Sequence, residues 1–156
     1  MLYNINRMKI FFGVPYSSKV DTTGAVLPEY RNELEQMIAI ATDLGNTAFC
    51  APQHDGWHLN SISAADAFLL DTNELRTSDA FIGIVESDNP SIGACMEVML
   101  ANELNLPTLI ITDKENPVYM VKGMVAARDN VTHAVCPTYP EMRQKVADYI
   151  TQLDIY

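Results

Sequence analysis

The sequence predicts an α/β domain built on a five-stranded parallel sheet with helices on both faces. Three observations carry this. Short β-rich runs alternate with longer helical ones along the chain. The first strand run, MKIFFGV, is continuously apolar rather than alternating, as a strand covered on both faces is. Gly and Pro punctuate the joins between runs. A length of 156 residues with 48% apolar residues fits one domain, 1–156, with a full core.

The elements follow in order. MKIFFGV (8–14) is a strand that stops at Gly13 and Pro15. PEYRNELEQMIAIATDLG (28–45) is a helix with Pro28 in its first turn and Gly45 as its stop. Leu34, Met37, Ile38 and Ala41 give it one apolar face. TAFCAP (47–52) is the second strand, and HDGWHLN (54–60) is a polar loop with the lone Trp57. SISAADAFLLDTNELRTSD (61–79) is a helix capped by Ser61 or Ser63. AFIGIVE (80–86) is the third strand, and a turn at 88–91 leads into the helix that bears Glu97. PTLIIT (107–112) is the fourth strand, a short helix runs near 117–127, and VTHAV (131–135) is the fifth strand. YPEMRQKVADYITQL (139–153) closes the chain as a helix. This is the pattern of a single-domain, Rossmann-like (flavodoxin-like), doubly wound sheet.

Composition excludes several classes. No run of roughly 18 apolar residues exists, so no transmembrane helix is expected. The N-terminal stretch lacks a small-residue cleavage site and reads as a strand, not a signal peptide. Cys50, Cys95 and Cys136 are scattered with no CxxC, which fits a reduced, cytoplasmic chain. His54 and His58 are four apart but flank Gly56, a poor setting for a zinc helix, so no metal is expected. A net charge of −10 argues against a nucleic-acid polymer as partner, though not against a small phosphorylated ligand. Neither GxGxxG nor a Walker pattern is present.

In a doubly wound sheet, ligands sit beyond the C-terminal ends of the strands. That directs attention to GVPYSSK (13–19), CAPQHDGWH (50–58) and ESDNPSIG (86–93). Glu97 has Gly93, Ala94, Leu100 and Ala101 as its helical neighbours, three of them small, so space is left beside the carboxylate. Asp71 breaks an apolar helical run. Taken singly, either acid is more simply a solvated helical residue. Together they flank the third strand, and two carboxylates on either side of a sugar are what glycosidic cleavage uses. Ser91 suits a helix N-cap and, equally, an anion site at the positive end of that helix. Ser17, Ser18 and Lys19 form a second candidate phosphate cradle.

These residues resemble the nucleoside 2-deoxyribosyltransferase family, including its branch that hydrolyses nucleoside 5'-monophosphates. The resemblance rests on IFFG in the first strand, DTNELRTSDAFIGIVESDNPSIGACMEVMLA (71–101), and VYMVKG (118–123), and spans most of the chain. It implies that Glu97 is the nucleophile that holds the sugar and that Asp71 protonates the leaving base. Ser91 falls where enzymes acting on free nucleosides carry an Asp and nucleotide hydrolases carry Ser, which implies a 5'-phosphate. Physics supports that split, since a carboxylate would repel the phosphate in a partly dry pocket. VYMVKG resembles a segment inserted by a neighbouring subunit, implying at least a homodimer. Val118 stands where the hydrolases usually show Ser, which leaves Tyr119 or Lys122 to replace that contact. Met120 matches an apolar residue of the base pocket, with a core position as the plain alternative. The family's strand-one tyrosine has no clear counterpart; Phe11 or Phe12 occupies that region and Tyr16 lies beyond it, leaving room for a ribonucleotide 2'-hydroxyl. Trp57 and His58 are candidates to stack on the base, with packing as the alternative.

The expectation is therefore an enzyme, without metal or cofactor, that cleaves the N-glycosidic bond of a nucleoside 5'-monophosphate. Glu97 and Asp71 are its catalytic residues. Phe11, Gly13, Tyr16, Ser17, Ser18, Lys19, Ser91, Gly93, Val118 and Met120 are its candidate substrate-binding residues. The alternatives are a base-exchanging deoxyribosyltransferase, a nucleotide-binding sensor without catalysis and, less so, an enzyme cleaving NAD.

Overall fold

The computed structural model describes residues 7–115 and 118–153. Strands β1 (Lys9–Gly13), β2 (Thr47–Cys50), β3 (Ala80–Val85), β4 (Thr108–Thr112) and β5 (Val131–Val135) form one sheet. Their spatial order is β2-β1-β3-β4-β5, and every pairing is parallel. The direction of winding reverses between β1 and β3, which opens a crevice at the C-terminal ends of those two strands. The expected fold class is therefore present.

The helices are α1 (Pro28–Asp43), a short α2 (Ala51–His54), α3 (Ala64–Arg76), α4 (Ile92–Glu103), α5 (Tyr119–Ala127) and α6 (Tyr139–Leu153). The core is split by the sheet. Ile10, Phe12, Ile82 and Ile84 pack against α1 and α6. Phe11, Phe49, Phe81 and Ile110 pack on the other face with Leu75 of α3, Val98 of α4 and Val121 of α5. Among the described residues no helix is long and apolar enough to cross a membrane.

Three boundaries differ from the sequence reading for local reasons. The second strand ends at Cys50, because Pro52 has no N–H for the ladder and suits the first turn of α2 instead. Helix α3 begins at Ala64, since the Ser63 side chain caps it by accepting the Asp66 N–H at 3.1 Å. The fifth helix starts at Tyr119. Pro117, within the expected span, lies outside the described residues. The loop after β1 contains a 3-10 turn over Ser17–Lys19.

Candidate active site

Helix α4 starts at the C-terminal end of β3. Ser91 is its N-cap, and its Oγ accepts the Ala94 N–H at 3.3 Å. The remaining first-turn N–H groups have no intrahelical partner and face outward at the positive end of the helix. Five residues into the helix, Glu97 turns back toward the end of β1. It reaches there because residue 13 is Gly. A Cβ at Gly13 would sit 2.7 Å from Glu97 Oε2 and 2.6 Å from the Phe81 ring, closer than real atoms approach. The carboxylate occupies the volume that any other side chain would fill.

Asp71 enters from α3, which packs beside α4. Both acids line a cleft with two lobes that meet at Asp71, Gly93 and Glu97. The smaller lobe, about 180 Å³, is polar at its rim, with Tyr16, Ser17 and Ser91, and is walled by Val14, Pro52 and Leu59. The larger lobe, about 340 Å³, is mostly apolar: Phe68, Leu75, Met96 and Leu100, with Thr72 and Arg76 as its polar groups.

No hydrogen bond or salt bridge within the described residues satisfies either carboxylate. Burial pushes Glu97 up to about 8, and the Asp71 charge adds to this. Burial pushes Asp71 up to about 6; the Asp55 carboxylate adds to that, His54 opposes it, and Glu74 adds a smaller push. Between those two values the empty pair holds a single proton, shared by two interacting sites.

The structure separates the other expected site residues. Tyr16, Ser17, Ser91 and Gly93 line the cleft with the two acids, and Gly13 shapes it. Phe11 does not. It is fully buried, its ring 5.1 Å from that of Phe49 and 5.8 Å from that of Phe81, because its parity on β1 points it into the α3–α5 face of the core. Ser18 is exposed outside the cleft. Lys19 pairs with Glu86 at 2.5 Å and lies over the Tyr30 ring, on the opposite side of the β1 loop from the acids. Val118 and Met120 border a separate apolar cavity with Ile92, Cys95 and Met99 on the outer face of α4. Met120 is 62% exposed, so it is not a core residue in this chain.

Trp57 packs rather than lines the cleft. Its backbone holds a left-handed conformation, with φ 64°, and its ring lies under the Arg31 guanidinium. His58 binds its neighbour's carbonyl, Leu59 O, at 2.9 Å, and Leu59 is the residue of this loop that reaches the cleft. Leu59, Thr72, Arg76 and Asp55 had no place in the sequence reading. Only Asp55 carried a signal, as an acid in one of the three loops expected at the sheet's C-terminal edge. Among the described residues, no three His, Cys, Asp or Glu side chains converge as metal ligands.

Fold and cleft together define a parallel α/β domain with two unpaired carboxylates at the winding reversal of its sheet. No family model and no curated protein sequence matches the chain. Solved structures do. The CMP N-glycosidase BcmB of Clostridium botulinum matches with a TM-score of 0.68 at 19% identity, over 90% of this chain and 98% of that one. BlsM, solved in solution, matches with a TM-score of 0.77 at 15% identity, over 96% and 93%. A 2-deoxyribosyltransferase from the psychrotolerant bacterium Bacillus psychrosaccharolyticus matches with a TM-score of 0.59 at 16% identity, over 86% and 90%. The chain thus shares the fold that its motifs imply, that of nucleoside 2-deoxyribosyltransferase-like proteins. At these identities the likeness is one of fold.

Proposed function

We propose that the protein cleaves the N-glycosidic bond of a nucleoside 5'-monophosphate and releases the free base. The observation that carries this is the meeting of Asp71 and Glu97, from adjacent helices, in one cleft at the sheet's C-terminal edge. Glu97 attacks C1' of the sugar as the C1'–N bond breaks, and Asp71 gives its proton to the departing base. Water then adds to C1', losing its proton to the Asp71 carboxylate, and Glu97 leaves. The products are the base and the sugar 5-phosphate.

The polar lobe is the sugar–phosphate end. Ser17, Ser91 and the first-turn N–H groups of α4 hold the phosphate without a cation of their own. The apolar lobe takes the base. At the end of β1, Gly13 and the Phe81 ring stand beside Glu97, and the phenol of the polar lobe comes from Tyr16 in the loop beyond the strand; the lack of a tyrosine on β1 itself supports ribonucleotides as substrates. The working unit is a homodimer in which 118–123 of one chain approaches the partner's cleft. Support comes from the exposed apolar surface of Ile92, Met96, Tyr119 and Met120. Three unpaired cysteines fit a cytoplasmic enzyme.

The test is a chromatographic screen for free base from matched nucleosides and 5'-monophosphates, with and without a second base. Release from monophosphates, unaffected by the second base, is expected. New nucleoside formed from the second base would assign the deoxyribosyltransferase reaction instead. No turnover with any substrate would leave a binding protein.

A further inference from the structure

The larger lobe of the cleft carries two polar side chains that the reaction above does not use. Asp71 and Glu97 stand where the lobes meet. Beyond them, the polar side chains lining this lobe are Thr72 and Arg76. They are four residues apart on α3, so they share one face of the helix, a turn apart. Their hydrogen-bonding capacities are opposite. The Thr72 hydroxyl donates back to its own helix, to the Phe68 carbonyl at 2.8 Å and the Leu69 carbonyl at 3.3 Å. With its proton committed, Thr72 Oγ1 offers the lobe only lone pairs. Arg76 carries donors and no acceptor, and its guanidinium has no ion-pair partner among the described residues. The side chains around the two, Phe68, Leu75, Met96 and Leu100, are apolar.

We propose that Thr72 and Arg76 read the edge of the base and select bases with a ring N–H beside a carbonyl, the 4-oxopyrimidines and 6-oxopurines. This rests on the apolar lobe being the base site, as proposed above. The match is one of donors and acceptors. Such an edge donates its N–H to Thr72 Oγ1, and its carbonyl oxygen accepts from the Arg76 guanidinium. A 4-aminopyrimidine or 6-aminopurine presents the reverse, a bare ring nitrogen beside an amino group. Its nitrogen lone pair would face the lone pairs of Thr72, and its amino hydrogens would face the N–H groups of Arg76. The apolar walls give those groups no other partner, and a buried polar group left unpaired costs more than a hydrogen bond gains. Sites that hydrogen-bond a substrate group reject analogues that cannot pair with it far more strongly than apolar pockets reject a change of size. Ring size is a separate matter, since uracil and hypoxanthine share this edge.

The experiment measures kcat/KM for matched 5'-monophosphates, uridine against cytidine and inosine against adenosine, in wild type, T72V and R76E. Within a pair only the edge of the base differs, so the ratio does not depend on how much of a preparation is active. Wild type should favour the oxo member of each pair that it turns over by at least about tenfold. T72V keeps the shape and removes the acceptor, and the ratio should fall about tenfold. R76E, at an exposed position, replaces donors with an acceptor. The amino member should gain while the oxo member loses, and the ratio should fall at least about tenfold. The intrinsic difference in leaving ability between the bases is common to all the proteins and cancels between them. A wild type that prefers the amino member, or a ratio within about threefold of wild type in either variant, overturns this reading of the edge and leaves base cleavage standing. Release of base from none of the monophosphates would instead fail the functional reading itself.

Discussion

On the α1–α6 side of the sheet's C-terminal edge, Glu86 meets Lys19 at 2.5 Å and Asp88 meets Lys114. Tyr30 donates to the Pro15 carbonyl at 2.7 Å. On the α3–α4 side, a few residues away along the same strands, Asp71 and Glu97 face an open cleft, and among the described residues no hydrogen bond or ion pair satisfies them. One side neutralises its acids with lysines that the fold brings to them. The other withdraws its acids from water and leaves them unpaired. Both arrangements use the same residue types at the same edge, so composition does not separate them. Stability alone does not favour the second, because an unpaired acid in a dry site gains nothing from the fold. Sites that perturb ionisation in this way cluster where chemistry is done.

The contrast breaks most sharply at Glu97. E97Q keeps shape and removes the charge, and should fold normally while kcat/KM falls at least about a thousandfold. Near-normal turnover would move the nucleophile elsewhere. Next in size is Ser91. S91D places a carboxylate at the start of α4, where the proposed function seats the phosphate, and should lower kcat/KM for a 5'-monophosphate about a hundredfold. The matched free nucleoside should be spared or improved. A wild type that prefers the free nucleoside would remove the phosphate from that position.

Acid and base limits sharpen the comparison further. The pair of pushed-up carboxyls predicts a bell-shaped kcat/KM profile with limbs near 6 and 8. In D71N the Glu97 carboxyl should titrate at lower pH than in wild type, followed by carboxyl NMR, since it then loses a negative neighbour. Stability follows with a definite sign. Glu97 has a folded value near 8 against an ordinary 4.5, so its contribution is present below pH 4.5 and lost as pH rises through 8. E97Q should therefore raise Tm at pH 8.5 by about 3–10 °C, and the gain should vanish near pH 4. The smallest effect belongs to the paired side. K19M removes one partly exposed ion pair, costing about 0–1 kcal/mol, and should change kcat/KM less than about threefold. A large loss of phosphate turnover in K19M would return Lys19 to the site.

Much of this was legible in the chain. Alternating strand and helix runs specify the layers, the turn before Ser91 specifies a capped helix, and Asp71 interrupts a pattern that would otherwise be ordinary. What stayed hidden has physical causes. IFFG is apolar at every position, so the run does not say which of Phe11 and Phe12 faces which side of the sheet, nor that Gly13, on the same face as Phe11, lies against the acid. Lys19 looked available for phosphate because its partner, Glu86, is distant in sequence and adjacent only once β1 and β3 pair. Asp55 was one acid among several in a polar loop, and its burial depends on Pro52 turning the chain into α2. Leu59 reaches the cleft because Trp57 takes a conformation that its side chain gives no hint of.

Gly13 carries a consequence for redesign. Its missing side chain works as a gauge block: it sets how near the Glu97 carboxylate can come to the strand, and no other residue fits the gap. A library built to change what the cleft accepts should therefore hold this position constant. Variation belongs at Val14, Leu59 and Thr72, which touch the cleft without bearing on the carboxylates' distance from the sheet. Reach and selectivity are thus assigned to separate residues, and the second can drift while the first stays still.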